Sequence, residues 1–145
     1  MRAFEFPLRR ALEWRRTQLE LAEEQLRRIA AELEELALAA VKLDLVKGRA
    51  EQAVRESRAV EAGDLWALAA YRARLIAEQQ ALARRRRECE QRFAVQRQKV
   101  MEARRQCRLL EKLRESRRAE WRIAMERETE SLAAESFLAL WSRRP

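Results

Sequence analysis

Charged residues make up 39% of the 145-residue chain and aromatics 6%, with only two Gly and two Pro. That balance suits long helices or a coiled coil and excludes an ordinary globular domain. Alanine supplies much of the 48% counted as hydrophobic, so a narrow apolar seam is available but not a core several side chains thick. The net charge of +8 admits nucleic acid, a membrane surface or an acidic protein groove as partners.

Taken in chain order, Met1-Arg2-Ala3-Phe4-Glu5-Phe6-Pro7 carries no apolar core of a secretory signal, which points to a cytoplasmic protein. Pro7 suits a helix start, because its fixed φ matches the first turn and its missing N–H would be unpaired there. Helix 1 is predicted over residues 8–61. One heptad series in it runs Leu12, Leu19, Leu26, Leu33, Ala40, and a second Leu8, Ala22, Ile29, Leu36, Leu43, Ala50, with one break at Arg15. Leu38, Val41 and Leu45 fall off this seam. They read either as an apolar stripe offered to a partner or as a stutter that turns the seam toward them, helped by Gly48. The most apolar run, from Leu36 to Val46, is interrupted by Lys42 and Asp44, so no membrane span is expected.

The turn is expected at residues 62–64, with Gly63 as a left-handed residue ending helix 1 and Asp64 as the N-cap of helix 2. Trp66 and Tyr71 follow at once. They could anchor a partner or pack across the tip, and packing is the reading adopted. Helix 2 is predicted over residues 65–141, with seam positions Leu65, Phe93, Val100, Cys107, Trp121 and Leu68, Leu75, Leu82, Cys89, Ala103, Leu110, Ala124. Gln79, Arg86, Gln96, Arg114 and Arg117 interrupt them. Cys89 and Cys107 would lie about 27 Å apart along one helix, too far for a disulfide, and are expected to be buried thiols.

The fold expected is therefore all-α: a two-helix antiparallel coiled-coil hairpin with a longer C-terminal helix, forming a single unit over residues 1–145. Folding at Gly63 would set Leu19 near Leu110, Ile29 near Val100 and Leu36 near Phe93, although a slide of one heptad would preserve the seam. Six acids between Glu20 and Glu35 face only Arg27 and Arg28 locally, whereas fifteen bases outnumber six acids between Arg84 and Arg122. That asymmetry favours antiparallel pairing. With arms of about 80 and 115 Å, roughly the last twenty residues, including Trp121, Leu132, Phe137, Leu138, Leu140 and Trp141, would overhang without an intramolecular partner.

The chain contains no His, and no Gly-rich phosphate loop, Cys–His pair or nucleophile elbow can be found. Two Cys without His cannot assemble a tetrahedral zinc site. The expectation is a non-enzymatic protein with no catalytic residues, metal or cofactor.

Two segments come together at the paired ends of such a hairpin: Phe4-Glu5-Phe6-Pro7-Leu8-Arg9-Arg10-Ala11-Leu12-Glu13-Trp14-Arg15 and Leu110-Glu111-Lys112-Leu113-Arg114-Glu115-Ser116-Arg117-Arg118-Ala119-Glu120-Trp121. In both, the chain resembles the FliJ family of flagellar type III export proteins. That family opens with Phe-x-Phe-x-Leu-x-x-Val/Leu-Leu-x-x-Arg and carries a Leu-Glu-Lys-Leu-Arg-x-x-Arg-x-x-Glu-Tyr-like stretch in its second helix. Here Ala11 stands at the β-branched position and Trp121 in place of the Tyr, and the ending from Glu126 to Leu138 is acidic, then apolar, as in the family.

The resemblance implies a central stalk whose paired ends enter the pore of a hexameric export ATPase, and which contacts the membrane-embedded export gate and recycles export chaperones. Phe4, Phe6, Leu8, Leu12, Leu110, Leu113, Arg114, Arg117 and Trp121 would meet the ATPase. Leu38, Val41, Leu45, Trp66 and Tyr71 are candidates for the gate or chaperones. Such a protein would work at the cytoplasmic face of the inner membrane, peripherally and only through its partners, and would be a monomer when isolated. The stalk of a non-flagellar injectisome is the nearest alternative. Others are a basic coiled coil binding nucleic acid through the Arg84–Arg122 stripe, where aromatics for stacking are scarce, and two parallel chains without a hairpin. No specific nucleic acid is expected as a partner.

Overall fold

The computed structural model describes residues 2–143 and contains two helices, α1 (Arg9–Glu56) and α2 (Ala62–Ser142), which pack against each other. Among the described residues there is no strand, and no helix is long and apolar enough to cross a membrane. Two compact units divide the chain: residues 1–20 with 101–145, and residues 21–100.

In the second unit, positions from the seven-residue series of both helices are withdrawn from solvent. Ile29, Leu75, Cys89 and Val100 are buried, and Ala22, Leu26, Leu33, Leu36, Ala40, Leu43, Leu68, Leu82 and Phe93 are half-buried. Cys89 is fully enclosed, and its thiol donates to the Ile29 carbonyl at 3.7 Å. Gln96 interrupts the apolar series yet is buried. Its amide donates to the Ala22 carbonyl at 3.0 Å, which gives the buried polar group a partner. Gln79 likewise reaches the Asp44 carboxylate. The seam tolerates these interruptions because glutamine places its polar end on the neighbouring helix rather than leaving it unsatisfied.

Cross-helix ion pairs flank the apolar positions: Arg92 with Glu32 at 2.7 Å and Arg72 with Glu51 at 3.2 Å. The hydrogen bond and charge of Glu32 push the Arg92 guanidinium further above its ordinary range. Glu24 is occupied within α1 by Arg27 and Arg28, and the hydrogen bond from Arg27 is the main reason its carboxyl titrates below the usual range. Pairs this exposed are screened by solvent and add little to stability.

The connection lies earlier than the glycine signal suggested. α1 ends at Glu56 and α2 begins at Ala62, so residues 57–61 make the turn and Gly63 lies in the first turn of α2. No glycine has positive φ, so Gly63 is not a left-handed terminator. Asp64 does cap α2, but from inside it: its carboxylate accepts from the Glu61 N–H at 3.2 Å, while the Asp64 and Leu65 N–H groups donate to the Glu61 carbonyl. This is the return half of a capping box, in which an acid three residues into the helix satisfies the N-cap amide. Ser57 closes α1 by donating from its N–H to the Val54 carbonyl and from its hydroxyl to the Ala59 carbonyl. Because the turn comes earlier, Ile29 lies opposite Cys89 and not Val100.

In the other unit, Leu12 and Cys107 are buried, and Leu19, Ala103, Gln106, Leu110, Trp121 and Met125 are half-buried. Burial raises both thiols above their ordinary pKa, with smaller contributions from Glu32 at Cys89 and Glu111 at Cys107. Both cysteines are free.

Candidate functional site

Two sequence motifs far apart in the chain come together in the unit formed by residues 1–20 and 101–145. Residues 2–6 run without regular structure into the turn at Pro7 and Leu8, and the Arg9 N–H donates to the Phe6 carbonyl at 3.1 Å as α1 begins. The Pro7 ring thus sits just ahead of the helix, where its missing N–H leaves no helical bond unmade. The segment before it folds Phe4 against Trp121 of α2, with ring centroids 6.0 Å apart and planes tilted by 55°. The separation lies within the range of attractive aromatic pairs. Trp121 was expected to lie in the unpaired overhang. It finds a partner because the N-terminal segment extends the packing beyond the start of α1.

Beside this pair, Phe4, Phe6, Leu12, Arg16 and Arg114 line an open cavity of about 530 Å³. Leu12 is buried at its base, whereas Phe4 and Phe6 are half-buried and Arg114 is exposed. Arg16 bridges the helices to Glu111 at 3.3 Å, and Arg9 pairs with Glu13 one turn along at 3.0 Å. Arg15 lies over the exposed Trp14 ring at 4.8 Å, a cation–π distance. The result is a hollow of Phe4, Phe6 and Leu12 with a rim of mixed charge, Arg9, Arg16 and Arg114 alternating with Glu5 and Glu13.

Of the nine residues singled out for this end, the cavity gathers Phe4, Phe6, Leu12 and Arg114, and Phe4 brings in Trp121. Leu110 is half-buried. Leu8 and Leu113 are exposed, and Arg117 turns along α2 to Glu120 at 3.5 Å. Sequence reasoning missed Glu5 and Glu13, which also border the hollow, and the part Glu111 plays in the inter-helix bridge. The four-residue spacing of Arg9 and Glu13 was the available signal for one of them.

The other candidate residues belong to the unit of residues 21–100. Leu38, Val41 and Leu45 are 61%, 57% and 56% exposed, while seam positions Leu36, Ala40 and Leu43 beside them stay half-buried. The seam therefore does not turn onto this stripe. Trp66, at 78% exposure, and Tyr71 are also exposed, against the expectation that they pack across the tip. The first turns of α2 direct Leu68, not these aromatics, into the seam. Next to the stripe, Ala39, Leu43, Val46 and Leu82 line an apolar groove of about 550 Å³ with Lys42 and Arg85 at its edge.

Among the described residues no three His, Cys, Asp or Glu side chains are grouped so as to hold a metal ion. Comparison with known protein families, with curated proteins and with solved structures finds no match to the chain.

Proposed function

We propose that α1 and α2 form an antiparallel coiled-coil hairpin with a longer second helix, and that the chain is a FliJ-like, non-enzymatic central stalk of the flagellar type III export apparatus. Its paired ends enter the pore of a hexameric export ATPase and couple it to the export gate and export chaperones. It works in the cytoplasm at the face of the inner membrane, held there by its partners. The observation that carries this reading is the contact of Phe4 with Trp121, which joins the two segments that resemble the family. The half-buried Phe4 and Phe6 and the exposed Arg114 of this hollow suit a ring lumen that offers apolar and acidic side chains.

The exposed stripe of Leu38, Val41 and Leu45 and the aromatics Trp66 and Tyr71 are the surfaces offered to the gate and chaperones. Contiguous apolar residues without intramolecular cover commonly mark such contacts. Adding the purified chain to its cognate export ATPase should promote hexamer assembly and raise hydrolysis. No change in either, under conditions where the ATPase can assemble, would overturn the proposal.

A further inference from the structure

One face of α2 remains uncovered and carries a charge pattern that α1 does not use. Cys107, Leu110, Trp121 and Met125 turn toward the packed side of the unit. On the far side of the helix, steps of three, four or seven residues link Met101, Arg105, Arg108, Lys112, Ala119, Ile123, Glu126, Glu130 and Phe137 along one stripe. All except Ala119 are exposed, including Met101 at 54%, Ile123 at 50% and Phe137 at 66%.

The stripe is basic before Ala119 and acidic after it. Among the described residues, none of Arg105, Arg108, Lys112, Glu126 and Glu130 forms a salt bridge. Met101, Arg105, Arg108 and Lys112 line one shallow hollow together with the exposed Leu109. From 126 to 142 the helix carries Glu126, Glu128, Glu130 and Glu135 against Arg127, together with the exposed Leu132, Phe137, Leu138, Leu140 and Trp141. This segment is therefore acidic and apolar, where the hollow is basic and apolar.

We infer that this stripe is a homodimer interface, in which α2 of a second copy lies antiparallel across it with the two-fold axis at Ala119. Residues equidistant from Ala119 then meet. Lys112 faces Glu126, Arg108 faces Glu130 and Met101 faces Phe137, and the two-fold makes each contact twice. Ala119, the smallest side chain on the stripe, lets the helices approach at the axis. A parallel arrangement would stack base on base and acid on acid, so the charge order selects the antiparallel one. The sequence alone led to the expectation of a monomer. The order of charges along this face becomes visible only when α2 is followed through residue 142. The inference does not depend on the export role proposed above.

Sedimentation equilibrium of the full chain over a concentration series tests it. The unaltered chain should dimerise, less tightly as salt rises. R108E/K112E puts acids at both ends of the stripe and leaves Arg105 as its only base, E126K/E130R leaves it no acid, and each should weaken self-association by about 100-fold. Both substitute exposed residues, and unchanged helicity by circular dichroism confirms that each variant folds. Mixed in equal amounts, the two variants should pair with each other, because every charged contact is then complementary. A chain that stays monomeric at all concentrations, variants that dimerise like the original, or a mixture that does not associate would each overturn the inference.

Discussion

Leu75→Ala should lower the unfolding free energy by about 2–4 kcal/mol, whereas Leu38→Ala should change it by less than about 0.5 kcal/mol. Both remove the same atoms from a leucine in the same unit. Leu75 is 3% exposed between the helices and Leu38 stands 61% exposed outside them. The difference arises from apolar surface returned to water and from the gap left at a closed site. A seam one side chain deep has no second layer that could relax into that gap. Typical domains are stable by only about 5–15 kcal/mol, so one buried leucine is a substantial part of the total. Urea titration followed by circular dichroism would read the shift in midpoint, and equal shifts for the two variants would contradict the assignment of the seam.

The second large effect concerns the end where the two motifs meet. If the proposed stalk role holds, replacing Phe4 and Trp121 together by Ala should remove most of the stimulation of the export ATPase, about tenfold or more, while costing the chain little stability. Buried aromatic anchors commonly contribute about 2 kcal/mol or more each to an interface. Within the chain the two rings touch only at a tilted 6.0 Å contact and are half-buried, a pairing worth about 0.5–1.5 kcal/mol. The same pair of substitutions at Trp66 and Tyr71 should leave ATPase stimulation intact. Stimulation unchanged by the first pair and lost with the second would move the ATPase contact to the other unit.

Much of the packing was legible in the sequence because seven-residue spacing encodes a helix face directly. Leu12, Ile29, Leu75, Cys89, Val100 and Cys107 were all read as seam positions, and all are buried. The turn was misplaced because glycine is a strong signal but not a unique one. An acid at the third helical position can satisfy the N-cap amide, and the Asp64 side chain does so for Glu61. That shift carried the pairing with it, so Ile29 meets Cys89.

Gln96 was read as a fault in the seam, since spacing cannot show that its amide reaches the Ala22 carbonyl. The partner of Trp121 was hidden for a different reason. Phe4 precedes α1, and heptad counting stops where a helix begins. Trp66 and Tyr71 lie off the seven-residue series that holds Leu68 and Leu75, and they are exposed.

A photo-crosslinking side chain placed at Phe6, beside the cavity, and in a second variant at Trp66, tests the stalk proposal most directly. With the assembled export ATPase present, the probe at position 6 should join the chain covalently to residues lining the ring lumen, and the probe at position 66 should not. Crosslinks to the ring from position 66 alone, or from neither position, would contradict it.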